Sequence, residues 1–350
     1  MLAITLQDLR YRARQFVIAV VGAGLVFAMT LLLAGMAAGF GVEINQTVQG
    51  MGAQSWVLAA GSVGRIADLS PIPQSDVATV RNEAGVTKAD PVIIVPQAAK
   101  VAGGPAKSVN LIGYQPGGLG SPGPVTGQTV QSSGEAVVDS KLGLGIGQNF
   151  VVSGRSFRVV GIVAGRTLLG GVPDAYVTLG DAQAVVFGGR PLVGAVLTTG
   201  IPKALPAGLS QYSNTQIEQA SLAQMSSAVS SIDNSRGFMW VIAAIIVAAL
   251  VYVTALERTR DFAVLKALGS SSRLLFSGLA TQAVAVALAA AIVAAIIANF
   301  MTGIFAQPVD IPGSSFVILP LSAVVVGLLA SVAALRRAVS VDPAAAFAGA

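Results

Sequence analysis

The chain reads as an integral membrane protein with four transmembrane α-helices, arranged one plus three, and a large mixed α/β extracytoplasmic domain inserted between helices 1 and 2. Three observations predict this. The composition is 54% hydrophobic and 11% charged, against about 25% charged for ordinary soluble domains. Four uncharged stretches are long enough to span a bilayer. About 200 residues of ordinary polarity, rich in Gly and Pro turns, separate the first stretch from the second.

The first span covers 16–38, a run of 23 residues without a charge, about 35 Å as a helix against a hydrocarbon core of about 30 Å. The others cover 237–256, 274–300 and 317–335. Orientation follows from the Lys and Arg flanks. Arg10, Arg12 and Arg14 precede the first span, Arg258, Arg260, Lys266 and Arg273 lie between the second and third, and Arg336 and Arg337 follow the fourth. The connection 301–316 has Asp310 and neither Lys nor Arg. The expected topology therefore puts 1–15, 257–273 and 336–350 in the cytoplasm, with 39–236 and 301–316 outside. A cleaved leader is the alternative for the first span, but its apolar run exceeds the usual length of a leader's apolar core.

Gly35 and Gly39 form a G-x-x-x-G, and Ala283, Ala287, Ala291 and Ala295 place small residues at every fourth position of the third span. Both patterns predict close helix contacts. The spans carry no Asp, Glu, Lys or Arg, and the third offers only Gln282 and Asn299 as larger polar groups. A route for a polar substrate through the bilayer usually needs such groups at mid-depth.

Cysteine and histidine are both absent, which excludes disulfides, thiol nucleophiles, Ser-His-Asp chemistry and most metal sites. No metal site is expected. The net charge is +5, but the basic residues are not massed on one polar segment, so no nucleic-acid partner is expected. A P-loop is missing too: the nearest approach, GGPAKS at 103–108, has the wrong spacing and an interrupting proline.

In the inserted domain, strands are expected at 56–60, 92–97, 109–114, 135–138, 150–152, 157–163, 175–179 and 193–198. A helix is expected at 75–83, started by Ser75 or Pro73. A helical stalk is expected at 214–236, with Ile217, Met225, Val229 and Ile232 as an imperfect apolar stripe. Trp56 reads as a buried strand aromatic, and the Gly/Pro-dense 115–127 as an exposed connector.

Two cytoplasmic pieces stand out. Leu2, Leu6, Leu9 and Ala13 recur at helical spacing with Gln7, Arg10 and Arg14 off that face, as in an amphipathic helix over 1–15 on the inner leaflet; a plain basic flank is the simpler reading. Between the second and third spans stands ERTRDFAVLKALG at 257–269. Val264, Leu265 and Leu268 share a helical face, Glu257, Arg260 and Asp261 are charged neighbours, and Gly269 is placed to stop the helix. Apolar residues beside charges suit docking to a soluble partner.

This 257–269 run resembles the signature loop of the MacB, LolC/LolE and FtsX group of ATP-binding-cassette (ABC) permeases, with Asp261 where the family pattern has Glu. The run RRAVSVDPAAAF at 336–347, which includes Asp342 and Pro343, is similar to the family's closing pattern, and DLRYRAR at 8–14 to its opening. GEAVVDSKLGLGIG at 134–147, FRVVGIV at 157–163 and AYVTL at 175–179 resemble its external core.

The resemblance implies a permease of a bacterial inner or plasma membrane, paired with a second permease chain, identical or homologous. Each permease would be seated through Glu257, Arg258, Arg260, Asp261, Val264, Leu265, Lys266, Leu268 and Gly269 on its own subunit of a separate ABC ATPase dimer. Arg10, Arg12, Arg14, Arg336, Arg337, Asp342 and Pro343 would flank that contact. This chain would hold no cofactor, ATP and Mg being bound by the ATPase. ATP-driven closure would move the external domain, exporting or extracting a substrate protein or lipid on the outer side. Two alternatives share the loop: an FtsX-like mechanotransmitter that activates an external cell-wall hydrolase, and an amino-acid permease of glutamine type. An external Ser/Lys hydrolase built on Ser140 with Lys141, or on Lys107 with Ser108, is disfavoured, because adjacent strand residues face opposite ways.

Overall fold

The computed structural model describes residues 13–101, 104–257, 264, 269, 271–305 and 308–339. The helices are α1 (Ala13–Gly50), α2 (Ser75–Arg81), α3 (Leu179–Phe187), α4 (Asn214–Gln224), α5 (Ser226–Glu257), α6 (Ser272–Met301) and α7 (Ser315–Val339). The strands are β1 (Ser55–Ala59), β2 (Ile72–Pro73), β3 (Val86–Val101), β4 (Ala106–Tyr114), β5 (Thr126–Gly127), β6 (Glu135–Asp139), β7 (Asn149–Val152), β8 (Arg155–Val163), β9 (Thr167–Leu168), β10 (Val172–Thr178), β11 (Leu192–Val193), β12 (Ala195–Gly200) and β13 (Leu209–Ser213). They divide into a helical unit (up to Ala38, Ala228–Phe305, and from Val309) and an α/β unit (Gly39–Ser227 with Pro308).

The helical unit is built around long apolar helices. Phe16–Gly50, Ser226–Ala249 and Ala280–Ile304 are long and apolar enough to cross a membrane, and α7 adds the shorter apolar stretch Ser315–Leu329. The core of this unit is built from Ala23, Phe27, Leu31, Ala243, Val247 and the alanine face of α6. Ala283, Ala287 and Ala291 are buried, and Ala295 is half-buried. Small side chains let backbones approach, which is how such a face gains dispersion contact without a hydrophobic driving force in lipid.

The G-x-x-x-G of α1 does something other than seat a helix. A Cβ at Gly35 would lie 2.7 Å from Val309 and 2.8 Å from Ile311, and the Asp310 N–H donates to the Gly35 carbonyl at 3.0 Å. A Cβ at Gly39 would collide with the carbonyl oxygen of Pro308. The two glycines thus make room for the extended segment that precedes α7.

In the α/β unit an 11-stranded sheet runs β13-β1-β12-β3-β4-β10-β6-β8-β5, with β7 paired to β3 and β8, and β9 to β10. Most pairs are antiparallel, while β10 runs parallel to β4 and β6 parallel to β8. The long β3 pairs with β12 through its first half and with β4 through its second. Both faces are buried, so alternate residues join different cores. Ile93, Val95, Leu111, Val138 and Val177 pack with Val77 and Val80 of α2 and Leu179, Ala182 and Phe187 of α3. Ile94, Ile112, Val137 and Tyr176 face the other way and pack with Ile44, Val48, Met51 and Ile217.

Most expected strands are present, with shifted ends. The strand expected at 92–97 extends to 86–101. That expected at 175–179 ends at Thr178, whose hydroxyl accepts from the Asp181 N–H and caps α3, a helix the sequence reading did not contain. The strand expected at 193–198 breaks at Gly194 into β11 and β12. The expected start of α2 is corrected as well: its N-cap is Gln74, with no side-chain cap bond. The stalk is two helices, broken at Met225, and α4 opens with a capping box between Ser213 and Gln216. Ile217 is buried, while Met225, Val229 and Ile232 are half-buried. The loop 115–127 is not a free connector: the Leu119 N–H donates to Asp90 Oδ2 at 2.8 Å, the Gly120 N–H to the Met51 carbonyl at 2.9 Å, and Gly120 and Pro122 are buried.

Trp56 is fully buried in β1, and its Nε1–H donates to Asn214 Oδ1 at 3.0 Å. Trp56→Phe keeps most of the apolar contact and leaves that acceptor without its donor. The expected loss is about 1–2 kcal/mol, read by thermal unfolding of the detergent-solubilised chain.

Candidate functional site

Two regions are candidates: the segment joining α5 to α6, and the polar centre of the α/β unit. In the first, Glu257 closes α5 and is exposed. Val264 is helical and 45% exposed, enough for its apolar side chain to meet a partner. Gly269 has φ +88°, the left-handed conformation that ends a helix and that L side chains rarely adopt. Ser272 then begins α6. Arg258, Arg260, Asp261, Leu265, Lys266 and Leu268 lie outside the described residues, as do Arg10, Arg12, Asp342 and Pro343. Arg14 is exposed in the first turn of α1, and the backbones of Arg336 and Arg337 are helical in α7.

The second region was not legible in the sequence. Glu43 of α1 is 3% exposed. Its Oε1 accepts from Thr167 Oγ1 at 2.6 Å and from the Gly171 N–H at 2.8 Å, and its Oε2 accepts from the Gly170 N–H at 2.8 Å. The Thr47 hydroxyl, one turn on, lies 2.9 Å from the Glu43 carbonyl and 3.3 Å from that of Thr167. Asp139, at the end of β6, accepts from the Lys141 N–H at 2.9 Å and the Arg166 N–H at 2.7 Å. Asp174 of β10 accepts from Asn110 Nδ2 at 3.1 Å and from the Tyr176 hydroxyl at 3.3 Å.

Asn110 Nδ2 also reaches the carbonyls of Leu168 at 3.2 Å and Val172 at 3.0 Å, while its Oδ1 has no partner among the described residues. Burial is the main cause that pushes the Asp174 pKa to about 7. The hydrogen bonds from Asn110 and Tyr176 oppose it, and the charges of Asp139 and Glu43 add to it. Burial, with the Asp174 charge next, pushes the Tyr176 phenol well above its usual range.

These groups make a buried polar knot that fastens the end of α1 to the β9–β10 hairpin. Glu43 and Asp139 each take two backbone N–H groups, and Glu43 takes the Thr167 hydroxyl as well, which makes them acceptors for structure. Among the described residues no group of three acidic side chains is placed to hold a metal ion. The Ser/Lys handles are not assembled either: Ser140 and Lys141 are exposed in a 3-10 turn, and Lys107 Nζ donates to the Leu142 carbonyl at 2.8 Å. A surface cleft of about 730 Å³ opens beside the knot, lined by Asn45 and Gln49 of α1, Pro122, Pro124 and Arg166. The Arg166 guanidinium leans on the Gln46 carbonyl at 3.4 Å near the C-terminal end of α1, where a cation is electrostatically favoured.

Comparison with known proteins bears on the first region more than the second. The FtsX-like permease C-terminal family matches residues 237–343, which include the whole α5–α6 segment. An uncharacterized ABC transporter permease of Mycobacterium tuberculosis H37Rv is 39% identical over 349 residues, covering 100% of both chains, and a second from the same strain is 37% identical with the same coverage. Solved structures give weaker likenesses. The periplasmic region of MacB from Actinobacillus actinomycetemcomitans is 16% identical, with a TM-score of 0.35 over 50% of this chain and 96% of that one. The extracellular domain of the ABC-type transporter YknZ, from Gram-positive bacteria, is 12% identical, with a TM-score of 0.31 over 49% and 91%. On full-length identity to its relatives, the chain belongs to the FtsX-like ABC transporter permeases, and as a permease subunit it is not itself the ATPase.

Proposed function

We propose that the chain couples ATP hydrolysis by a separate ATPase subunit dimer to movement of its own α/β domain on the outer side of the membrane, exporting or extracting a substrate there. The supporting observation is the α5–α6 segment. It is short, lies between two apolar helices, carries charges and the exposed apolar Val264, and ends at a left-handed glycine. Glu257, Arg258, Arg260 and Asp261 give it charge, Val264, Leu265 and Leu268 an apolar contact, and Lys266 a further cation. ATP and Mg belong to the ATPase, whose closure draws two permease chains together.

In this reading both termini and 257–273 are cytoplasmic and 39–236 is extracytoplasmic, as the basic flanks direct. The spans have no charge to pass along a polar cargo, so force is applied to a substrate already outside, a protein or a lipid. Arg14, Arg336 and Arg337 stand at the inner rim beside the ATPase.

The test is co-purification of the tagged, detergent-solubilised chain with its ATPase. The wild type is expected to bring down a P-loop ATPase in stoichiometric amount, and a Glu257→Lys, Arg260→Glu variant that still inserts and stays monodisperse is expected to lose at least nine-tenths of it. Equal recovery with both chains overturns the docking assignment. Recovery of a cell-wall hydrolase bound to the outer domain would instead make the chain a mechanotransmitter.

A further inference from the structure

A crevice of about 130 Å³ lies within the helical unit between α1, α5 and α7. A cavity of about 150 Å³ takes a benzene-sized apolar group, so this one has room for a few methylenes of a longer chain. Leu31, Ala34, Trp240 and Leu319 give it apolar walls, and Arg236 and Ser315 stand on its lining as the polar groups with capacity to spare. The other hydroxyl, that of Thr30, donates back to the Val26 carbonyl at 3.0 Å. The Trp240 ring is held by Phe27, their centroids 5.7 Å apart. Arg236 meets Asp233, one turn earlier on α5, at 3.2 Å. A guanidinium has five N–H donors in a fixed fork, so one carboxylate on the same helix leaves donors for a second anion.

The position of these residues along the spans narrows the choice of anion. Arg236 immediately precedes the uncharged run of α5, residues 30–34 lie towards the end of the first apolar run, and 315–319 are the first residues of α7. In the topology proposed above, all three ends lie at the outer face, at headgroup level. Arg236 is the one Lys or Arg adjoining the outward end of any span, where cations are otherwise scarce. A tryptophan one turn deeper is the side chain expected at a membrane–water interface.

We propose that this crevice binds one anionic phospholipid of the outer leaflet, its phosphate on Arg236 and Ser315 and part of an acyl chain against Leu31, Trp240 and Leu319. The proposal rests on the topology given under Proposed function. A single guanidinium at the membrane surface contributes about 1 kcal/mol towards anionic lipid, so the preference over a zwitterionic lipid is expected to be about fivefold.

The experiment is native mass spectrometry of the full chain in an uncharged detergent, titrated with phosphatidylglycerol or with phosphatidylcholine. The wild type should hold one phosphatidylglycerol per chain at about a fifth of the concentration needed for phosphatidylcholine. Arg236→Gln should reduce this to parity, and Ala34→Phe, which fills the crevice without changing charge, should weaken both lipids. Parity in the wild type, or a preference that survives Arg236→Gln, overturns the proposal.

A companion measurement separates this failure from failure of the topology. The chain has no cysteine, so Arg236→Cys can be probed directly with a membrane-impermeant maleimide. Labelling in intact cells without lipid preference removes the lipid site alone. Labelling only after permeabilisation removes the topology and the lipid site with it. If Ile318→Cys cross-links two chains while Ala34→Phe leaves lipid adducts unchanged, a second permease chain covers the crevice and the proposal falls.

Discussion

Glu43→Ala is expected to destabilise the α/β domain by about 3 kcal/mol or more, because it leaves one buried hydroxyl and two part-buried backbone N–H groups without their shared acceptor. For a unit of this size, that is a fall of about 6–12 °C in the midpoint of thermal unfolding, measured on the full chain in detergent. Limited proteolysis should show early cleavage at 167–171. Glu43→Gln should be intermediate: the amide oxygen still accepts, but its NH₂ group is set against donors. An unchanged midpoint in Glu43→Ala would mean that α1 is held to the hairpin by the apolar contacts of Ile44, Val48 and Met51 alone. The polar knot would then have no part in keeping the end of α1 in place.

Asp174→Asn is expected to stabilise the protein at pH 8 and to flatten its dependence on pH. The ordinary carboxyl pKa is 3.8 and that of buried Asp174 is about 7, so between these values the folded chain keeps a proton that the unfolded chain has released. The stability contributed by the protonated group is fully present below about pH 4 and is lost as pH rises through 7. The span is on the order of 4 kcal/mol. Asparagine mimics the neutral carboxyl, retains an acceptor for Asn110 Nδ2, and carries no charge into the buried site at any pH. Unfolding midpoints of wild type and variant at pH 5 and pH 8 check this. The wild type should lose stability over that interval through this group, and the variant should not. A parallel fall in both would place the titration elsewhere.

The apolar helices, the inserted α/β domain and the family were legible in the sequence because each is written in neighbouring residues. Uncharged runs report spans, basic flanks suggest sides, and ERTRDFAVLKALG is a contiguous string. Strand cores such as 109–114 and 157–163 were legible for the same reason: they are runs of β-branched and apolar residues. Strand ends were not. Pro91 and Pro96 stand inside β3 although proline cannot donate to a ladder, and there the pairing with β12 and β4 overrides the local preference. Helix α3 was hidden by a strand-like AYVTL whose last residue, Leu179, is the first of the helix.

What the sequence alone determined is the membrane class, the one-plus-three order of apolar runs, the absence of thiol and imidazole chemistry, and the string that identifies the family. Only the tertiary structure decided that Glu43 meets Thr167 across 124 residues, that Asn110 meets Asp174 across 64, and that Gly35 and Gly39 receive the 308–311 segment rather than another helix. The physical reason is range. Hydropathy and helical period are properties of a few adjacent residues, whereas the convergence of side chains is set by sheet register and by which backbones can approach, and these depend on segments far apart in the chain.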